Sequence, residues 1–310
     1  MPALVASKNS TIVLKKWIRE RSLRARFALG GWLQPHRTLQ RAADLFATPL
    51  AIARTRALDA DPAGAALGEV ETADGRIATY VWGDPAREPV AVLAHGWSSY
   101  GLFLLPWVAP LRAAGYAVVA FDQAGHGRSD GARSSLPAFA AVLGRVAARY
   151  GRPAVVIGHS LGGAATMLAL AGGLAAGRAV LIAPPADPFA AGERFARRIG
   201  LAGHLAARLF DDWQARTRIR VDSLQAHRAA PALTLPALIV HDLGDREVPW
   251  DEGERYARYW PGARLLTTTG LGHHRIVNAP AVIGEALRFL AGETVGERVV
   301  SSPDLPYGFF

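Results

Sequence analysis

Ser160 sits inside Gly158-His159-Ser160-Leu161-Gly162-Gly163, after the β-branched apolar run Ala154-Val155-Val156-Ile157 and before the helix-forming run from Ala164 to Leu170. A Gly-x-Ser-x-Gly pattern in that setting predicts a strand turning sharply into a helix. The serine hydroxyl is then held above the sheet edge, and the flanking glycines remove the Cβ atoms that would clash with the strained backbone. A serine hydroxyl is a poor nucleophile at neutral pH unless a base and an orienting acid reach it. Two later segments offer such groups. The apolar run 237–241 ends in Asp242-Leu243-Gly244-Asp245-Arg246-Glu247-Val248-Pro249, and the run 265–268 ends in Gly270-Leu271-Gly272-His273-His274-Arg275. The order is serine, aspartate, histidine, and strand-end loops of a parallel sheet converge on one crevice. Either aspartate and either histidine can fill its role on residue type alone.

The elements that must position these groups are legible as short apolar runs at 69–72, 76–82, 90–94, 117–121, 154–157, 179–182, 237–241 and 265–268. The first two flank Ala73-Asp74-Gly75, a hairpin signal. Helical patterns at 102–114, 136–150, 161–176, 252–259 and 281–290 lie between most of the others. A hairpin leading into alternating strand and helix predicts an α/β fold, a mostly parallel central sheet with helices on both faces. Residues 184–235 contain no convincing strand but show helical spacing over 189–210 and 212–226. They are expected to form a helical cap inserted before the penultimate strand. The uncharged run 161–177 is too short and too rich in Gly and Ala for a membrane span, and reads as a helix buried against the sheet.

A chain of 310 residues, half of them hydrophobic and 20% charged, can bury a large core. It has no cysteine, which excludes disulfides, thiol catalysis and thiolate metal sites and makes a cytoplasmic location the default expectation. The net charge of +9 is concentrated at one end: residues 1–60 hold eleven Lys or Arg against three acids. A nucleic-acid surface spread over the whole chain is therefore not expected. Within 1–60, read as a basic and partly helical N-terminal extension to a domain over 61–310, Leu14, Trp17, Ile18, Ala25, Ala28, Leu29 and Trp32 recur at helical spacing. Such a basic amphipathic helix either packs its apolar stripe on the protein or a partner, or makes peripheral contact with an anionic membrane. No unbroken apolar segment of a secretory signal precedes Lys15 and Lys16.

Four blocks in this order resemble the α/β-hydrolase superfamily, in the style of its serine esterases, monoacylglycerol lipases and serine aminopeptidases. They are Leu93-Ala94-His95-Gly96-Trp97, the stretch from Phe121 to Ser129 with Gly125-His126-Gly127, the serine turn itself, and Gly244-Asp245-Arg246-Glu247-Val248-Pro249 followed by Gly272-His273. The resemblance spans roughly residues 69–292. It implies Ser160 as nucleophile, Asp245 as acid because it stands three residues before Val-Pro, and His273 as base because it directly follows the glycine. It also implies the backbone N–H groups of Trp97 and Leu161 as oxyanion donors. Asp242 departs from the family's glycine or small residue at its position. His95 and His126 are expected to brace turns, His159 to pack or hydrogen-bond beneath the site, and Asp122 and Arg128 to fix a turn. No zinc-ligand spacing and no dinucleotide or phosphate-loop fingerprint is present, so neither a metal nor another cofactor is expected. The implied activity is hydrolysis of carboxylic esters of small or medium acyl chains. Acyl transfer, thioester or amide cleavage on the same residues, or ligand binding without catalysis, are the alternatives. Phe189, Phe195, Leu201, Leu205, Leu209, Phe210 and Trp213 are candidates for an acyl pocket or for core packing.

Overall fold

A computed structural model describes residues 8–73 and 75–299, with side chains from residue 21 onward. The side chains of Leu14, Trp17 and Ile18, Asp74 at the hairpin tip, and the aromatic tail to Phe310 lie outside the described residues. The chain divides into two compact units. One comprises the chain as far as Ala47 together with Phe189–Val221, and the other Thr48–Pro188 together with the chain from Asp222.

The order of elements begins with α1 (Lys8–Leu33), α2 (Pro35–Ala47) and α3 (Ala51–Asp59). There follow β1 (Ala66–Thr72), β2 (Gly75–Trp82), β3 (Val90–Ala94), α4 (Val108–Ala113), β4 (Ala117–Phe121), α5 (Leu136–Tyr150), β5 (Val155–His159), α6 (Leu161–Ala171) and β6 (Arg178–Ile182). After these come α7 (Pro188–Ile199), α8 (Gly203–Ala206), α9 (Asp211–Thr217), α10 (Ala226–Ala229), β7 (Ala237–Asp242), α11 (Trp250–Tyr259), β8 (Ala263–Thr268), α12 (Gly272–Arg275) and α13 (Pro280–Leu290).

In the larger unit the eight strands form one sheet in the order β1-β2-β4-β3-β5-β6-β7-β8. Pairings β1–β2 and β2–β4 are antiparallel and all others parallel. Successive side chains of a strand point to opposite faces, and here both faces are covered. Val92, Val119, Val156, Leu181 and Ile239 pack on one side with Leu143 and Val146 of α5 and Met167 of α6. Leu93, Val118, Ile157, Val180 and Val240 pack on the other with Leu111 of α4 and Ile283 of α13. That two-sided burial is why β3 to β7 read as continuous apolar runs rather than as alternation.

Boundaries move where glycine or proline acts. The helix expected over 102–114 is a 3₁₀ segment Gly101–Trp107 followed by α4, because Pro106 lacks an N–H to donate. The helix expected over 161–176 stops at Ala171, where Gly172 and Gly173 follow and Gly173 takes φ +100°.

In the smaller unit the expected helices over 189–210 and 212–226 are interrupted at Gly200 (φ +76°) and Arg218 (φ +58°), leaving the short helices α7 to α9. Phe27 of α1 and Leu39 and Ala42 of α2 share a core with Ala196, Ile199, Leu201, Leu205 and Leu209. Phe46 meets the rings of Phe195 and Phe210 edge-on at 5.0 and 5.6 Å. Leu201, Leu205 and Leu209 therefore fill this unit's own interior. Along the described part of α1 the inward residues are Phe27 and Gly31, with Leu23 half-buried, while Ala25, Ala28, Leu29 and Trp32 of the expected stripe are exposed.

Candidate active site

Ser160 occupies the single residue between β5 and α6, with φ +53° and ψ −124°. This left-handed conformation is costly for a residue with a side chain. It persists because the Ser160 amide donates to the Ile182 carbonyl at 2.8 Å, while its own carbonyl accepts from Gly163 at 2.8 Å. Close packing explains the second glycine of the motif: a Cβ on Gly162 would overlap the carbonyl oxygens of Ala94 and His95. The chain after β3 thus passes directly beneath the turn, and a Cβ on Gly96 would lie 2.9 Å from that of Ser160.

β7 and β8 end beside each other, with Asp242 opposite Thr268 in the last pair, and the loops that follow bring the other groups in. His273 Nε2 lies 2.9 Å from Ser160 Oγ, and His273 Nδ1 lies 2.7 Å from Asp245 Oδ2. Asp245 Oδ1 accepts from the amides of Glu247 at 2.8 Å and Val248 at 3.0 Å. Burial raises the Asp245 carboxyl, but hydrogen bonds from His241 and His273, the His273 charge and the Val248 amide outweigh it. The acid is held well below the ordinary carboxylate range. The structure thus brings Ser160, His273 and Asp245 into one hydrogen-bonded line.

The neighbouring candidates have other partners. Asp242 Oδ1 accepts from the Gly244 amide at 3.0 Å, and its Oδ2 accepts from the Thr268 hydroxyl and the Leu271 amide, both at 2.9 Å. Its carboxylate therefore joins the loop carrying Asp245 to the loop carrying His273. His274 turns outward, its Nε2 2.8 Å from Glu247 Oε1, and that partner raises its pKa.

Three more histidines are buried around the site, and each has its tautomer fixed by its partners. His95 donates from Nδ1 to the Gly96 carbonyl at 2.7 Å and accepts at Nε2 from the Gln123 amide at 2.9 Å. His126 donates from Nδ1 to the Ala124 carbonyl at 3.0 Å and accepts at Nε2 from the Ser98 amide at 3.1 Å. Together they fasten residues 95–98, including Trp97, to the turn after β4. Asp122, on that turn, accepts from Tyr80, Gly101 and Arg128, and Arg128 in turn donates to the carbonyls of Leu58 and Ala60. His159 donates from Nε2 to the His273 carbonyl at 2.9 Å, with the two rings 5.1 Å apart. Burial lowers the pKa of His95 to about 4, of His126 to about 3 and of His159 to about 3, so all three are neutral.

His241 was not among the residues singled out by sequence. It is fully buried, its Nε2 3.0 Å from the Val248 carbonyl and 3.4 Å from Asp245 Oδ2, so a second imidazole flanks the acid. The only sequence signal is that an otherwise apolar strand ends in two polar residues, His241 and Asp242, with His241 four positions before Asp245. Leu161 is the first residue of α6, where a helix N–H has no intrahelical acceptor. Among the described residues no group of three or more His, Cys, Asp or Glu could hold a metal ion.

The profile of the alpha/beta hydrolase family matches residues 91–286, and the chain belongs to that family. Among solved structures it is similar to an esterase from Rhodococcus sp. ECU1013, at 25% identity over 73% of this chain and 98% of that one, with a TM-score of 0.54. It also shares its fold with a thioesterase domain from the curacin biosynthetic pathway, at 18% identity over 74% of this chain and all of the other, TM-score 0.55. A membrane phospholipase A described as a bacterial virulence factor aligns over 90% of this chain and 98% of its own, at 20% identity and a TM-score of 0.59. No curated protein sequence gives a significant match.

Proposed function

We propose that this hydrolase-family chain cleaves carboxylic esters of small or medium acyl chains through an acyl-enzyme on Ser160. The observation that carries the reading is the unbroken contact from Ser160 Oγ to His273 Nε2 at 2.9 Å and from His273 Nδ1 to Asp245 Oδ2 at 2.7 Å. His273 takes the hydroxyl proton as Ser160 attacks the ester carbonyl. Asp245 holds the imidazole with its proton on Nδ1 and stabilises the imidazolium. The negative oxygen of the tetrahedral intermediate is met by the N–H groups of Leu161 and Trp97, each worth about 3 kcal/mol of barrier. Collapse expels the alcohol with the proton from His273. Water, activated by the same histidine, then releases the acid. The proposed reaction needs no cofactor, and the cysteine-free composition supports a cytoplasmic enzyme.

A fluorophosphonate probe followed by a panel of p-nitrophenyl esters, thioesters and anilides tests this. Labelling of Ser160 and ester turnover lost in Ser160→Ala are expected, with short and medium acyl chains preferred. An unlabelled Ser160 would turn the reading toward a non-catalytic binding protein. Faster turnover of thioesters or anilides, or product appearing as a new ester when alcohol is added, would replace ester hydrolysis with one of the other acyl-transfer chemistries.

A further inference from the structure

The described part of α1 has two apolar sides. Leu23, Phe27 and Gly31 follow one another at four-residue steps and face the core of the helical unit. On the opposite side, at the three- and four-residue steps that define one helix face, Ala25, Leu29, Trp32 and Leu33 are exposed. Trp32 is 81% exposed, Leu29 60% and Leu33 58%. Isolated surface leucines need no explanation, but three large apolar side chains adjacent on one helix face do. The same two helices are basic: Arg26 on α1 and Arg37 and Arg41 on α2 are exposed, and the one acid of residues 21–47, Asp44, is exposed on the same face of α2 as Arg37 and Arg41.

We propose that the C-terminal half of α1 is a membrane-docking face. Leu29, Trp32 and Leu33 enter the headgroup–acyl boundary of an anionic phospholipid bilayer, and Arg26, Arg37 and Arg41 meet its phosphates. Two considerations favour a bilayer over a protein partner. The exposed apolar set on this face is three side chains, a small area beside the roughly 800 Å² that each partner buries in a standard protein interface. Tryptophan beside leucine and arginine is also the composition that sits at headgroup level, with the indole body in hydrocarbon and its N–H wet. Among the described residues no helix is long and apolar enough to cross a membrane, and the contact proposed is with its surface. This inference goes beyond the ester-hydrolase reading and does not depend on it.

Flotation of the full chain with mixed phosphatidylcholine–phosphatidylglycerol vesicles at low salt, against phosphatidylcholine vesicles alone, is the test. The parent chain is expected to float with the mixed vesicles and several-fold less with the neutral ones. Leu29→Ser, Trp32→Ser and Leu33→Ser combined are expected to lower the partition coefficient by about tenfold or more. Arg26→Gln, Arg37→Gln and Arg41→Gln combined are expected to remove the preference for anionic vesicles and its salt dependence. Retention of the parent's melting temperature separates loss of docking from loss of fold, and Trp32→Ser alone is scored in the same way if the triple variant does not fold. Ser160→Ala is expected to float as the parent does, because the docking face does not include Ser160. A parent chain that stays out of the mixed vesicles overturns the proposal, as does an apolar variant that floats as well as the parent. So does a parent dimer that the apolar variant converts to monomer, since the face would then belong to a second copy.

Discussion

Thr268 donates its hydroxyl to Asp242 Oδ2 at 2.9 Å across the last rung of the β7–β8 ladder, immediately before the loops that carry Asp245 and His273 diverge. The same oxygen holds the Leu271 amide, and the other oxygen holds that of Gly244. Burial raises the Asp242 carboxyl, but these hydrogen bonds outweigh it and hold the acid below its ordinary range. Asp242→Asn turns one acceptor oxygen into a donor facing other donors. It is expected to lower kcat by about 10- to 100-fold with KM little changed, because the spacing of Asp245 and His273 loosens. It should also cost about 1–3 kcal/mol of stability. Steady-state kinetics and urea midpoints check both, and Thr268→Val should show a milder version of the same pattern.

Asp245→Asn tests the role proposed for Asp245. The amide presents an NH₂ group or a weaker acceptor to His273 Nδ1, the tautomer that leaves Nε2 free to take the Ser160 proton loses its support, and kcat should fall by about 10³- to 10⁴-fold. If turnover stays within a few-fold of the parent, another carboxylate performs that role.

His241→Phe removes the buried imidazole beside Asp245 and leaves the Val248 carbonyl without its partner. A reduction of kcat/KM of about tenfold is expected, partly restored by His241→Gln, whose amide nitrogen reaches a similar position. Equal activity in the Phe and Gln variants would mean that His241 acts by volume alone.

The neutral histidines tie stability to pH. His95, His126 and His159 have folded pKa values of about 4, 3 and 3, against about 6.5 in the unfolded chain. The unfolded state therefore binds three more protons once pH falls below that unfolded value. Their contribution is fully present above pH ~6.5 and is lost as pH falls toward 4, at up to about 4 kcal/mol per pH unit for three protons. Urea titrations between neutral pH and pH ~4 should show this slope, and His159→Gln should reduce it by about one proton. A flat profile would mean that these imidazoles titrate in the folded state.

Gly162→Ala places a methyl group against the backbone carbonyls of Ala94 and His95, which cannot move without breaking the sheet. A loss of more than about 3 kcal/mol, or failure to accumulate as soluble protein, is expected in expression and thermal melts.

Much of this architecture is visible in residue pattern because the physics is local. β3, β4, β5 and β7 are short apolar runs closed by glycine or polar residues, and β6 is closed by Ala183 and two prolines. The serine turn is a strand, a tight corner and a helix written in consecutive residues. The helix over 136–150 is bounded by Ser135, whose hydroxyl accepts from the Ala138 amide, and by Gly151 at φ +99°. Other features depend on partners distant in sequence. His241 is one polar residue at a strand end, and its place beside Asp245 follows only from how the turn folds back. Asp242 looks like a solvated turn residue until Leu271 and Thr268 are brought to it. The face that α1 turns inward is set by Leu205 and Leu209, which no periodicity within residues 14–32 can reveal.

The core that joins Phe27 and Leu39 to Ala196, Ile199 and Leu205 has a consequence for how the chain is made. Helices α1 and α2 leave the ribosome before residues 196–209, and the side chains that cover them are encoded well over a hundred residues later. At about 5–20 residues per second, that interval is on the order of ten seconds or more. During synthesis α1 and α2 present an uncovered apolar stripe beside their arginines, and only the arrival of 196–209 closes it. A ribosome paused between β6 and α7 should therefore hold a nascent chain whose N-terminal segment is open to chaperones and proteases.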